Sequence, residues 1–236
     1  MGLSFSSFWS VWSILVSPSK FVASSPTAEY FNIITSNPSF NLVQPSPKLI
    51  ILDLNGTLVF RRKTRKVTKR PFLDEFINYL FNDDNFFVMI WTTARPENTE
   101  IMVDLIFGDQ KEKLIAIWNR KKFDLTNREY ERNTKPIKNL DMIWNDLNSQ
   151  IASGKLFKNN LKISFDLVFD LKNTILIDDS KYKTKLQPFN AIHPCEFNRE
   201  RVRNGEDSEL KRIIEYLEVV KYQSNVAAYM KDNPFS

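Results

Sequence analysis

A chain of 236 residues with 42% hydrophobic content and a formal charge of +5 suits one sizeable globular domain with a tail or insert, and the charge mildly favours anionic partners. Cys195 and His193 are the only cysteine and histidine, which excludes an intrachain disulfide and leaves a zinc site short of ligands; a bound metal should be a hard ion held by oxygens. No apolar run reaches the length of a membrane span: the closest, residues 11–23, is broken by Ser13, Ser17, Pro18, Ser19 and Lys20.

Residues 1–47 are rich in Ser, Phe and Trp, nearly uncharged and interrupted by Pro18, Pro26, Pro38, Pro45 and Pro47, and read as a leader or docking segment of low order outside the core. Met1-Gly2-Leu3-Ser4-Phe5-Ser6 fits the N-myristoylation pattern, so membrane contact through the N-terminus is one expectation, although a single acyl chain anchors weakly. Phe8, Trp9, Trp12, Ile14 and Leu15 would then form an interfacial face, or pack on the domain. No basic region precedes the apolar stretch, which argues against a signal peptide, and no arginine precedes Arg61, which argues against a mitochondrial address. Cytoplasm or nucleus is the expected location, with membrane association if Gly2 is acylated.

The domain proper is expected over residues 48–222. Its first strand, 48–54, is an apolar run ending in Asp53, followed by the turn Asn55-Gly56. A short hairpin follows, 57–60 pairing with 66–69 and carrying the basic run Arg61, Arg62, Lys63, Arg65, Lys66, Lys69 and Arg70. Pro71 fits the first position of a helix with Leu73, Phe76, Ile77 and Leu80 inward. A second buried strand spans 86–92. Pro96 opens a helix expected to bury Ile101, Met102, Leu105 and Ile106, and 114–118 is a third strand. A helix over 139–152 begins an insert, 141–171, whose Phe157, Phe165, Leu167, Val168 and Phe169 could pack on the core or form a partner surface, core packing being the expectation. The strand 173–177 ends in Asp178-Asp179-Ser180, an amphipathic helix spans 207–222, and 223–236 is a tail. Strands alternating with helices argue for an α/β fold, a parallel sheet covered on both faces.

In such a sheet the carboxyl ends of all strands meet at one edge, where ligands bind. Asp53, Thr92, Lys138 and the pair Asp178 and Asp179 would therefore converge. The set makes chemical sense. A carboxylate can attack phosphorus, a hydroxyl and an ammonium can hold phosphoryl oxygens, and further carboxylates can hold Mg²⁺. Singly, each has an ordinary explanation: a threonine satisfying backbone groups, a solvated lysine, an Asp-Asp-Ser helix cap.

DLNGTL, IWTTA, the lysine of PIKNL, and ILIDDS together resemble the four motifs of the haloacid dehalogenase superfamily. KRPFLDEF, VMIWTTARPE and QPFNAI narrow the resemblance to the RNA polymerase C-terminal-domain phosphatase branch, which includes the NLI-interacting-factor-like phosphatases. It covers residues 47–197. It implies a Rossmann-like domain and Mg²⁺-dependent hydrolysis of phosphoserine or phosphothreonine in a phosphoprotein substrate; the short basic hairpin after the first strand is read from the residues themselves, and the helical insert before the last motif departs from the family's small phosphatases. By the same resemblance, Asp53 is the nucleophile and a metal ligand. Position 55 is the general acid/base, whose backbone carbonyl also ligates the metal. Thr92 and Lys138 bind phosphate, with Lys135 as the fallback for the lysine. Asp179 is the direct metal ligand, and Asp178 orients the lysine and the metal's waters.

Asn55 departs from this pattern, since the family carries a second aspartate there. An amide cannot shuttle the proton, and such catalysis is worth about 10²–10⁴-fold. The expected protein is a slow phosphatase; the alternative is a non-catalytic phosphate-binding or scaffold protein, as in the family's protein-import-receptor branch. The basic hairpin could steer a phosphorylated or acidic partner, touch nucleic-acid phosphates or an anionic membrane, or be a solvated turn. No nucleic-acid-binding module accompanies it, so sequence-specific nucleic-acid binding is not expected.

Overall fold

The five strands that build the centre of the molecule are short and almost wholly apolar, so they are stable only when both faces are covered. They are β1 (Lys48–Leu52), β4 (Phe86–Trp91), β5 (Ala116–Trp118), β8 (Thr174–Ile177) and β9 (Ala191–Ile192), joined all-parallel in the order β5-β4-β1-β8-β9. The structure is a computed structural model and describes residues 25–62, 66–132, 134–159 and 161–236. The expectations for the acylation pattern and aromatic stretch at residues 1–24 fall outside these, as do Lys63, Thr64 and Arg65 of the basic run.

Side chains of β1 alternate between two cores, as strand geometry requires. Ile50 and Leu52 pack with α2 (Leu73–Asn82), α3 (Pro96–Phe107), α7 (Glu209–Val220) and the start of α8 (Val226–Asp232). Leu49 and Ile51 pack with α5 (Leu140–Ala152) on the other face. The expected α/β architecture is therefore present: a parallel sheet between helices.

Several expectations are corrected. The helix after the basic hairpin, β2 (Val59–Arg61) with β3 (Val67–Lys69), does not begin at Pro71; it begins at Leu73, after a left-handed Phe72 (φ 63°) that turns the chain. In α3, Ile101 and Leu105 are exposed, while Met102, Val103, Ile106 and Phe107 are buried. Spacing fits either stripe, and the buried one is that which packs with Ile50, Leu52 and Ile90 of the sheet. The insert is only partly helical. After α5 it forms a two-stranded hairpin, β6 (Phe157–Lys158) with β7 (Leu161–Lys162). Its Phe169 is buried, but Phe157, Phe165 and Val168 are exposed.

The boundaries at residues 47 and 223 also move. Helix α1 (Ala28–Ser36), capped by Thr27, buries Tyr30 and Ile34 against Leu171 and against Ala227 and Ala228 of α8. The Tyr30 hydroxyl donates to Asn190 Oδ1 (2.9 Å) and accepts from the Phe189 amide (3.1 Å). Residues 27–36 and 226–232 therefore belong to the folded domain. The reason is mutual cover: each is too short to bury an apolar face alone.

Candidate active site

Asp53 is the first residue beyond β1, and its amide still donates to Ile177 of the neighbouring strand (3.0 Å). Asp178 likewise follows β8, with its amide bonded to Ile192 (3.1 Å). Two rigid strand ends thus present two carboxylates side by side. Asp53, Asp178 and Asp179 have ligand oxygens within 4.8 Å of one another.

Two ammoniums hold this cluster, and both donate to Asp178 Oδ2. Lys138 Nζ lies 3.0 Å from Asp53 Oδ1 and 2.6 Å from Asp178 Oδ2, fully buried. Lys183 Nζ lies 3.1 Å from Asp53 Oδ2, 3.0 Å from Asp178 Oδ1 and 3.9 Å from Asp179 Oδ1. The two lysines are coupled through the backbone, the Lys138 amide donating to the Lys183 carbonyl at 2.7 Å. Burial alone would raise the Asp53 carboxyl, but the charges and hydrogen bonds of Lys138 and Lys183 outweigh it and hold it below the ordinary carboxylate value. Burial works against the Lys183 ammonium too, yet the surrounding carboxylates raise its pKa. Asp179 moves the other way: burial, opposed by Lys183 and helped by the charges of Asp53 and Asp178, pushes it up to about 6.

The turn after β1 is built around Asp179. Thr57 Oγ1 donates to Asp179 Oδ1 and accepts from the Asp179 amide, both at 3.1 Å. Gly56 has φ +94°, and a Cβ there would meet the Asp179 carboxylate at 3.0–3.1 Å. Only glycine fits such a backbone without strain. Asn55 is exposed, and its Oδ1 accepts from the Arg61 amide at 2.8 Å, tying the turn alongside β2.

Asp53 opens onto a cavity of about 280 Å³ whose wall includes Asn55, Arg61, Thr92, Lys135 and Lys183. Thr92 stands at the end of β4, nearly buried, its hydroxyl accepting from the Ala94 amide at 3.3 Å. One wall is held by Arg120, whose guanidinium donates to the carbonyls of Glu129, Tyr130, Arg132 and Thr134 at 2.8–3.2 Å. Positive side chains around one carboxylate suit an anion with a reactive centre next to Asp53.

The structure brings together Asp53, Thr92, Lys138, Asp178 and Asp179, with Asn55 on the rim. Lys135 lies in the cavity wall, whereas Lys138 points into the carboxylates and lies over the Trp91 ring (5.8 Å). Sequence reasoning missed Lys183, Thr57 and Arg120. The one trace of Lys183 is the alternation Lys181, Lys183, Lys185 after the Asp-Asp-Ser turn. Only the fold selects the middle one: Lys181 is exposed, and Lys185 lies over Tyr182 at 5.2 Å.

The model of the NLI interacting factor-like phosphatase family matches residues 48–227. The chain belongs to this family. An uncharacterised FCP1 homology domain-containing protein of Schizosaccharomyces pombe is 33% identical over 210 residues, covering 84% of this chain and 81% of that protein. The ubiquitin-like domain-containing CTD phosphatase 1 of Danio rerio is 24% identical over 184 residues, covering 76% of this chain and 52% of that one. Among solved structures, the fission yeast RNA polymerase II CTD phosphatase Fcp1-R271A bound to beryllium fluoride aligns with a TM-score of 0.47 at 12% identity, covering 79% of this chain and 64% of that one. The family resemblance expected from DLNGTL, IWTTA and ILIDDS is borne out. No helix among the described residues is long and apolar enough to cross a membrane.

Proposed function

We propose that this chain is a slow, Mg²⁺-dependent phosphomonoesterase acting on phosphoserine or phosphothreonine in proteins. One observation carries the reading: a buried Asp53 at a strand end, held by two lysine ammoniums, faces a basic cavity beside the Thr92 hydroxyl. Asp53 attacks phosphorus, the ester P–O bond breaks, the leaving alkoxide takes a proton from solvent, and an aspartyl-phosphate forms; water then attacks phosphorus, gives a proton to solvent, and phosphate and Asp53 are released. Thr92 donates to the phosphoryl oxygens, and the cationic wall of Arg61 and Lys135 draws the phosphate in. Lys138 favours the ionised form of Asp53 and holds the Asp53 and Asp178 carboxylates aligned.

The donor set fits a hard divalent ion, being oxygen-only and clustered at one edge. Asp53, Asp179 and the Asn55 carbonyl would hold Mg²⁺, with Asp178 orienting its waters. Bound there, Mg²⁺ would offset negative charge on the transferring phosphoryl group.

Asn55 limits turnover. Its amide can neither protonate the leaving alkoxide nor activate the water, and its Oδ1 is already committed to the Arg61 amide. That same observation favours a second reading, a module that binds phosphorylated partners without turning them over.

Wild type, Asp53→Asn and Asn55→Asp assayed on phosphopeptides, with Mg²⁺ and with EDTA, separate the two. The enzyme reading expects weak wild-type activity, lost with Asp53→Asn or EDTA, and a gain of about 10²–10⁴-fold for Asn55→Asp. An inert wild type that still binds phosphopeptide, and an Asn55→Asp that stays inert, would establish the binding reading.

A further inference from the structure

The Lys183 ammonium bonds Asp53, a carboxylate that a divalent ion would need, and stands beside Asp179, a second one. It is within 3.1 Å of Asp53 Oδ2 and 3.0 Å of Asp178 Oδ1, and 3.9 Å from Asp179 Oδ1. Lys138 takes Asp53 Oδ1 and Asp178 Oδ2, and shares the latter with Lys183, which lies 3.3 Å from it. The two lysines are not equivalent. Lys138 is fully buried and enclosed, whereas Lys183 is partly exposed and lines the cavity that Asp53 opens onto. Lys183 thus has a flexible stem and solvent-connected space to withdraw into, while its backbone stays tied by hydrogen bonds to Ser180 and Lys138.

We propose that Lys183 is a tethered cation occupying the divalent-ion position, so that Mg²⁺ binds by exchange with its ammonium. This rests on the Mg²⁺ assignment proposed above. Mg²⁺ demands near-octahedral oxygen contacts at about 2.0–2.1 Å, so an ammonium bonded to Asp53 Oδ2 competes for that oxygen. Coulomb repulsion between a divalent ion and an ammonium a few ångströms apart opposes joint occupancy. The exchange has two consequences. Mg²⁺ affinity falls by the fraction of time the ammonium holds the site. The carboxylates also stay neutralised when no metal is bound, so the site does not fly apart at low Mg²⁺.

Titration calorimetry with Mg²⁺ on wild type and Lys183→Met reads the first consequence, and thermal unfolding with and without Mg²⁺ reads the second. The expected result is tighter Mg²⁺ binding by Lys183→Met, by about tenfold or more. Its melting temperature should fall without Mg²⁺ and recover with it. A measurement on unaltered protein guards against a misfolded variant. Acetylation of Lys183 by acetic anhydride, quantified by mass spectrometry, should increase at saturating Mg²⁺, with Lys181 and Lys185 as internal references.

Unchanged Mg²⁺ affinity in a folded Lys183→Met, or Lys183 acetylation that does not rise with Mg²⁺, overturns the exchange. Absence of Mg²⁺ binding in both proteins overturns it together with the Mg²⁺ assignment. If wild-type phosphatase activity still requires Mg²⁺, the assignment stands and only the exchange fails.

Discussion

At the scale of single residues, the site is a contest between burial and charge. Asp53 stays ionised because Lys138 and Lys183 overcome its desolvation, whereas Asp179, facing two other carboxylates, does not win the same contest. Gly56 shows how tightly the turn is built. Gly56→Ala would place a methyl 3.0 Å from Asp179 Oδ1 on a backbone at φ +94°. We expect about 1–3 kcal/mol of destabilisation in urea unfolding, with a clear loss of Mg²⁺ affinity in calorimetry because Asp179 must move. A variant with wild-type stability and affinity would show that the turn relaxes freely. Asp53 and Asn55 were legible in the sequence because motif spacing reports on strand ends. Lys183 was not, because spacing says nothing about which of three alternating lysines turns inward.

At the scale of elements, the sequence pattern locates helices better than it locates their partners. In α3 an amphipathic stripe is evident, but the sheet buries Val103 and Phe107 in place of Ile101 and Leu105. The helix α1 was unreadable for a related reason: its Pro-rich, Ser-rich flanks look like a linker, and its cover comes from α8, far along the chain. The joint between them is testable. Tyr30 bridges Asn190 Oδ1 and the Phe189 amide, and Asn190 in turn donates to the carbonyls of Leu171 (2.7 Å) and Thr174 (2.8 Å). Tyr30→Phe leaves those partners unpaired in a buried place and should cost about 1–3 kcal/mol, read as a lowered thermal midpoint. Phosphatase activity measured well below that midpoint should stay near wild type, since the joint lies away from Asp53.

At the scale of the whole molecule, one buried ion pair ties the basic hairpin to the helical layer. The Arg70 guanidinium is bidentate on Asp207 at 2.9 Å, both side chains fully buried, and it also donates to the carbonyls of Thr57 and Cys195 at 2.8 Å. Burial would raise the Asp207 carboxyl, but Arg70 outweighs that and holds it below the ordinary 3.8. A carboxylate depressed on folding stabilises the protein fully above its unfolded value, and that contribution is lost as pH falls through the folded one. Wild type should therefore lose stability steeply below 3.8. Asp207→Ala should be destabilised at neutral pH by about 3–5 kcal/mol, because Arg70 is left buried and uncompensated. The same variant should show a shallower acid limb in urea unfolding measured across pH, and an identical limb would remove Asp207 from the acid response.

The sequence by itself determined the parallel-sheet architecture and placed Asp53, Thr92, Asp178 and Asp179 at one edge, because short apolar runs ending in polar motifs can be satisfied only as buried strands with a shared carboxyl edge; the family and the role of Lys138 came from the resemblance of the motifs. Tertiary structure alone decided that α1 and α8 close one flank, that much of the insert turns its aromatics to solvent, and that Lys183 enters the carboxylate cluster. Those outcomes depend on packing between segments distant in sequence and on the direction of a single side chain, neither of which leaves a period in the sequence.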